Sequence, residues 1–112
     1  MDLSVLKQSD VQVIRLRGKL TLGDAVDSFK QAIEGTLAES DPHIVVNLAE
    51  VPLMDSSGIG LLVRSQTLAK QNGGSIKLVQ PSPYTLKTLK MVGLIDLFEI
   101  YDDEGIAVAS FS

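Results

Sequence analysis

The chain has 112 residues, no cysteine and a formal net charge of -4, with 45% hydrophobic and 21% charged residues. This length suits one small globular domain with a modest core. The mild acidity and the lack of a Lys/Arg run argue against binding to nucleic acid or to an anionic membrane, and the missing cysteines exclude disulfides, thiolate metal sites and cysteine nucleophiles.

The N-terminal stretch MDLSVLKQSD has an early acid and no long apolar segment. No apolar run of the chain approaches the roughly 18 residues that a transmembrane helix needs. We therefore expect no signal peptide and no direct membrane insertion. The absence of cysteine is compatible with a cytoplasmic location.

Two short runs rich in branched residues open the chain, at residues 3–6 and 11–17, and polar KQSD separates them. They predict two strands of a hairpin or meander. Alternation in the second run is imperfect, because Val11 and Val13 fall on one parity while Ile14 and Leu16 fall on the other. Either a bulge shifts the register or both faces of this strand are partly covered.

An amphipathic helix is predicted next, with Asp24 as its candidate N-cap. Val26, Phe29, Ile33 and Leu37 recur at helical spacing. The dipeptide Asp41-Pro42 interrupts this pattern. The nearly all-apolar run HIVVNL at 43–48 then predicts a central strand that is covered on both faces.

A second helix is predicted from Ser57 to Gln71, stopped by Asn72-Gly73-Gly74, and a strand follows at 75–79. In the third helix Ser82 is the expected cap, Pro83 suits the first position, Leu86 and Leu89 face inward, and Gly93 ends it. A final strand at 97–101 precedes a short terminal helix within residues 102–111.

The predicted order of elements is β-β-α-β-α-β-α-β, closed by the short terminal helix. Strands that alternate with helices imply right-handed crossovers onto one sheet. We therefore predict an α/β fold in a single domain over residues 1–112. Its sheet is single, mixed and mostly parallel, with about four to five strands packed against about four helices.

The stretch MDSSGIG, residues 54–60, lies between the predicted central strand and the predicted second helix. A serine at such a turn is typical of a hydrolase nucleophile, but Met54 stands where that motif requires glycine. The single histidine, His43, begins the strand that leads to the motif, roughly 20 Å from Ser56 at the rise of a strand. Since a nucleophilic serine needs a nearby base, an enzyme is not expected.

The sequence gives little support to a metal site or a phosphate-binding site. The acidic cluster Asp102-Asp103-Glu104 lacks His or Cys partners, and we interpret it as a turn or helix start. Gly58 and Gly60 at a helix N-terminus would allow an anion to approach, yet the glycine spacing and the Lys of a phosphate loop are absent. No metal or cofactor is predicted.

Two compatible interpretations of the motif remain. In the first, Asp55 or Ser56 caps the second helix and the glycines let it pack closely. In the second, a serine exposed at the helix start is a phosphorylation target, where a phosphate adds about -1.5 to -2 charges. A partner packed on this helix would then meet a hydrated dianion and be released.

The motif resembles that of STAS domains, the fold of bacterial anti-sigma factor antagonists. The matching residues are HIVVNLAEVPLMDSSGIGLLVRSQTLAKQNGGSIKLV and then LKMVGLIDLFEIYDDEGIAVASF. The family pattern has an apolar strand, Asp-Ser-Ser/Thr-Gly-Leu/Ile-Gly, a helix ending near Gly-Gly, a strand, and Gly-Leu before the last strand. The likeness covers essentially the whole chain.

The resemblance implies a function in transcription regulation by partner switching. An ATP-binding serine kinase that is also the anti-sigma factor would phosphorylate Ser56. The unphosphorylated domain would bind that protein and release a sigma factor, and a phosphatase would restore the active form. By the same resemblance, the site neighbourhood comprises Asp55, Ser57, Gly58, Ile59, Gly60, Thr21 and Asp24.

One segment departs from the family pattern. Regulatory members often have Gly-Glu-Leu-Asp after the second strand, whereas this chain has Lys19 and Thr21 at the two acidic positions. Asp24 is then either a displaced acid or a helix cap. The alternative function is that of a STAS subunit or regulatory module of a membrane transport system, because such modules share the fold.

Overall fold

The structure, a computed structural model, describes residues 2–39 and 42–112. Its strands are Asp2–Gln8 (β1), Val11–Arg17 (β2), His43–Glu50 (β3), Ser75–Val79 (β4) and Glu99–Tyr101 (β5). Its helices are Asp24–Ala38 (α1), Ser56–Gln71 (α2), Pro83–Met91 (α3) and Glu104–Ala109 (α4), with a 3₁₀ turn at Ile95–Leu97. The predicted order of elements is confirmed.

One sheet contains all five strands, in the order β1-β2-β3-β4-β5. β1 and β2 form an antiparallel hairpin, and the later neighbours are parallel. The hairpin turns at Ser9 and Asp10, whose φ angles of 49° and 65° are the positive values that a two-residue type I′ turn requires. The prediction of a mixed, mostly parallel α/β sheet is confirmed.

Each face of the sheet has its own core. α1, α2 and α3 pack together on one face, where Ile14, Leu16, Phe29 and Ile33 are buried. α4 covers part of the other face, and the core beneath it consists of Val11, Val13, Val45, Val79, Ala107 and Val108. The two apolar parities of β2 therefore belong to two different cores.

β2 combines the two alternatives that its sequence leaves open, and β3 is covered as predicted. In β2 both faces are covered, and the pairing with β3 also shifts register between Arg15 and Arg17. In β3 the side chain of Val45 lies in the α4 core while Ile44 and Val46 lie in the other. The prediction of a central strand covered on both faces is confirmed.

Two predicted boundaries are wrong. Asp24 does not cap α1: the N-cap is Gly23, whose φ of 117° suits glycine, and Asp24 lies inside the first turn. The last strand begins at Glu99 rather than at Leu97, because Ile95–Leu97 form a 3₁₀ turn, whose Leu97 carbonyl accepts a hydrogen bond from the side chain of Gln66 at 2.7 Å.

The start and the inward face of α3 agree better with the sequence. The Ser82 hydroxyl accepts from Thr85 N–H at 3.1 Å and Pro83 occupies the first turn of α3, as predicted. Leu89 is buried and Leu86 half-buried. Of the predicted break at Asp41-Pro42, Asp41 lies outside the described residues, and α1 ends at Ala38.

Among the helices of the described ranges, none combines the length and the apolar character needed to cross a membrane.

Candidate functional site

The candidate site lies beyond the carboxyl ends of β2 and β3. There the segment that follows β2 runs beside the segment that follows β3. The Leu20 N–H donates to the Leu53 carbonyl at 2.9 Å, and the Asp55 N–H donates to the Leu20 carbonyl at 3.2 Å. These bonds place the loop before α1 next to the start of α2, so Thr21 and Asp55 come to one edge of the sheet.

Asp55 joins that loop to α2. Its Oδ1 accepts from the Gly58 N–H at 3.0 Å, which caps α2, and its Oδ2 accepts from the Leu22 N–H at 2.9 Å. The predicted capping role is thus confirmed for Asp55. The hydrogen bonds from Leu22 and then from Gly58 lower the pKa of the Asp55 carboxyl, because both favour its charged form.

Gly58 is needed for close packing. A Cβ at this position would lie 2.7 Å from Cγ of Met54 and 2.8 Å from the carbonyl oxygen of Leu20. Gly60 differs, because a Cβ there would meet no atom within 4 Å. Close approach inside the chain therefore explains Gly58, and the same expectation for Gly60 is wrong.

The serines of the motif occupy the first two positions of α2. Ser56 is exposed and Ser57 is half-buried, while Ile59 is buried one turn later. Within the described residues the Ser56 hydroxyl makes no hydrogen bond. This hydroxyl is therefore both accessible and unoccupied by contacts that stabilise the fold.

Thr21 and Asp24 lie on the neighbouring loop and at the start of α1. Thr21 is half-buried and directly precedes Leu22, whose N–H binds Asp55. Asp24 is exposed in the first turn of α1, where the helix dipole favours an acidic side chain. The structure thus brings Thr21 to the Asp55 edge.

An open groove of about 410 Å³ begins at Ser56 and lies between α2 and α3. One wall is formed by Ser56, Gly60 and Val63 of α2, and the other by Tyr84, Thr88 and Val92 of α3 and its C-cap. The remaining residues that line it are Met54, Asp55, Ile59 and Leu94.

The α3 wall was not predicted from the sequence. Analysis of that helix considered its inward positions Leu86 and Leu89. The missed signal is the spacing of Tyr84, Thr88 and Val92, which recur every four residues and so share one helix face.

The structure gives no support to a catalytic base or a metal site beside Ser56 within the described residues. His43 begins β3, as predicted, and its ring packs edge-on against Phe111 with the ring centroids 5.0 Å apart. Within the described residues no group of three or more His, Asp or Glu side chains is placed to hold a metal ion.

The acidic cluster before α4 is a helix start, as predicted. Asp103 Oδ1 accepts from the Ile106 N–H at 2.9 Å, which caps α4. Glu104 accepts two bonds from Arg15, at 2.9 and 2.7 Å, and one from Asn47 at 3.1 Å. The Arg15 guanidinium, helped by Asn47, lowers the pKa of Glu104 to about 2.

Comparison with known proteins identifies the family. The family model for the STAS domain matches residues 2–107. An anti-sigma F factor antagonist of Paenibacillus polymyxa is 32% identical over 84% of this chain and 80% of its own length. An anti-sigma-B factor antagonist of Bacillus subtilis (strain 168) is 34% identical over 83% of each chain.

A solved structure supports the same assignment. The Bacillus cell fate determinant SpoIIAA, solved in its phosphorylated form, has a TM-score of 0.81 and 25% identity, over 99% of this chain and 100% of SpoIIAA. The fold, the MDSSGIG turn and the matches over most of the sequence agree. The chain belongs to the STAS domain family.

Proposed function

We propose that this protein is an anti-sigma factor antagonist whose binding to its partner is switched off by phosphorylation of Ser56. In its unphosphorylated form it binds an anti-sigma factor that is also an ATP-dependent serine kinase, and a sigma factor is released. A phosphatase restores the binding form. The protein acts in the cytoplasm as a substrate and a binding module.

The observation that carries this proposal is the state of Ser56. Its hydroxyl is exposed at the first residue of α2, makes no hydrogen bond to another described residue, and lies at one end of the α2–α3 groove. A kinase can reach such a hydroxyl without unfolding the domain. The two relatives, both named as anti-sigma factor antagonists, support the antagonist part of the proposal.

The electrostatics of the helix start explain how one phosphate would weaken binding. The Gly58 N–H, which would otherwise be available to an anion, already donates to Asp55. A phosphate on Ser56 would add about -1.5 to -2 charges beside that carboxylate. Burying it under a partner would incur desolvation and like-charge penalties of several kcal/mol.

The alternative, a module of a transport system, is not favoured. The fold by itself does not separate the two functions, since STAS domains occur in both settings. The matches at 32% and 34% identity are to antagonists.

A pull-down from the cytosol of the source bacterium, read by mass spectrometry, tests the partner. Recovery of an ATPase-like anti-sigma kinase supports the proposal, whereas recovery of transporter subunits contradicts it. The kinase is then purified and incubated with radiolabelled ATP. We expect label on the wild type and on the matched control Ser57→Ala, and none on Ser56→Ala.

Binding measurements complete the test. Ser56→Ala should bind the kinase as the wild type does, and Ser56→Asp should bind about tenfold more weakly or worse. Equal binding by both variants would contradict the switch. Label on Ser57 alone would contradict the assignment of the residue.

A further inference from the structure

The side chain of Gln66 occupies a place in the sheet where a backbone hydrogen bond is expected. Its Oε1 accepts from the Ile76 N–H at 2.6 Å, and its Nε2 donates to the Leu97 carbonyl at 2.7 Å. Gln66 is 4% exposed, and Ile76 beside it is fully buried. An amide can bridge a donor and an acceptor because it presents an oxygen and an N–H side by side. This amide therefore lies between β4 and the chain that leads into β5.

The register of β4 and β5 shows which bond the amide replaces. In a parallel pair, evenly spaced N–H groups on one strand donate to evenly spaced carbonyls on the other. The bond from the Gln80 N–H to the Tyr101 carbonyl, 2.9 Å long, belongs to this series. Four residues earlier on both strands, the same series would join the Ile76 N–H to the Leu97 carbonyl. These are the two groups that Gln66 separates.

The backbone before β5 is already close to strand geometry. Phe98 has extended values, φ −123° and ψ 140°, and it falls opposite Ile76 in the continued register. Leu97 differs, because its N–H donates to the Leu94 carbonyl at 3.1 Å in the 3₁₀ turn. The sequence pattern predicts a strand over 97–101, since Phe, Ile and Tyr favour strands. One side-chain amide thus lies between the observed start of β5 and the predicted one.

We infer that Gln66 is a wedge, a side chain inserted between two strands, which holds the β4–β5 ladder one bond short. When the amide is withdrawn, the Ile76 N–H donates directly to the Leu97 carbonyl. The 3₁₀ turn then unwinds and β5 starts at Leu97. Both backbone groups keep a partner in this closed arrangement, which a buried N–H such as that of Ile76 requires.

The wedge also connects the start of β5 with the helix that carries the motif. Gln66 lies on α2, which begins at Ser56. Leu94 precedes the 3₁₀ turn and lines the groove between α2 and α3. Closure of the ladder would straighten the chain between Leu94 and β5. Gln66 is therefore a positioning residue, because it sets the path of the segment that joins α3 to the edge of the sheet.

The test uses the full chain, isotope-labelled, and scalar couplings across hydrogen bonds measured by NMR. In the wild type we expect the amide nitrogen of Ile76 to couple with the side-chain carbonyl carbon of Gln66. In Gln66→Leu we expect it to couple with the backbone carbonyl carbon of Leu97 instead. Gln71→Leu is the matched control, since Gln71 is exposed at the end of the same helix, and it should keep the wild-type coupling.

Hydrogen exchange of the Ile76 amide gives a second readout. Its rate in Gln66→Leu should stay within about tenfold of the wild-type rate, because the N–H changes its partner without losing one. Faster exchange with no coupling to Leu97 would show that the ladder stays open and would overturn the inference. A wild-type coupling to Leu97 would also overturn it.

A second variant covers a failure of the first to fold. Gln66→Met, whose unbranched side chain has a similar length, then replaces Gln66→Leu in the same measurements. Failure of both variants to fold would also overturn the inference, because a ladder that can close leaves neither backbone group without a partner.

Discussion

At the scale of single residues, Gly58 and Gly60 have different roles although they share one motif. A Cβ at Gly58 would lie 2.7 Å from Met54 Cγ, whereas one at Gly60 would meet nothing within 4 Å. We expect Gly58→Ala to lower the free energy of unfolding by about 1–3 kcal/mol through overpacking. Gly60→Ala should raise it by up to about 1 kcal/mol, because alanine favours the helix.

Urea unfolding of the two alanine variants checks this difference. Equal destabilisation at both positions would show that the motif requires glycine for its backbone rather than for packing.

Asp55 has two roles that substitution can separate. Asn at this position can still accept from Gly58 N–H and cap α2, but an amide nitrogen facing Leu22 N–H cannot accept its bond. We expect Asp55→Asn to be less stable than wild type at pH 7, and Asp55→Ala to be less stable than Asp55→Asn. Urea midpoints of the three proteins give this order.

The pH dependence of the Asp55 contribution follows from the direction of its shift. The folded-state pKa lies below the unfolded value, which is about 3.9 for aspartate. The stabilisation is therefore present above that unfolded value and is lost as pH falls through the folded pKa. The gap in urea midpoint between wild type and Asp55→Asn should narrow at low pH, and a constant gap would contradict this account.

At the scale of elements, α4 depends on its contacts at both ends. Its 6 residues are too few for a helix that is stable by itself. Glu104 anchors its first turn to Arg15 and Asn47. At its other end the Lys77 Nζ donates to the Ser110 Oγ at 2.7 Å and lies 4.0 Å from the centre of the Phe111 ring.

Glu104→Gln should loosen α4. The folded pKa of Glu104 is about 2, below an unfolded value of about 4.3, so its contribution is present above pH 4.3 and is lost as pH falls toward 2. After allowance for the exposed Arg15 partner, we expect a loss of about 1–2 kcal/mol at pH 7. Urea unfolding at pH 7 and pH 3 measures it, and a loss that is undiminished at pH 3 would contradict the ion-pair origin.

Sequence patterns predicted the elements well where local signals agree with packing. Ser82 and Pro83 marked the start of α3, and the two parities of β2 indicated either a bulge or coverage of both faces. The prediction of Asp24 as the N-cap of α1 was wrong because the cap preference of aspartate is a local signal. The chain enters α1 through Gly23, at a φ of 117°. The Gln66–Leu97 bond joins distant segments, so periodicity within one helix does not show it. The spacing of Tyr84, Thr88 and Val92 indicates only the α3 wall of the groove and not its pairing with α2.

At the scale of the whole molecule, the candidate site lies at the edge of the structural core. The helices α1–α3 fill one face of the sheet, and the motif lies beyond the ends of β2 and β3. Of its residues, Asp55 and Gly58 hold the loop and helix together. Ser56 makes no hydrogen bond to another described residue.

This freedom of the Ser56 hydroxyl has a consequence for protein turnover. If Ser56 is phosphorylated as we propose, the phosphate would break no hydrogen bond of the fold, and the dipole of α2 would offset its repulsion from Asp55, so the two forms should unfold with nearly equal free energies. Cellular proteases, which act on the unfolded population, would then degrade both forms at the same rate. The cell would hold a constant pool of this protein and change only its active fraction.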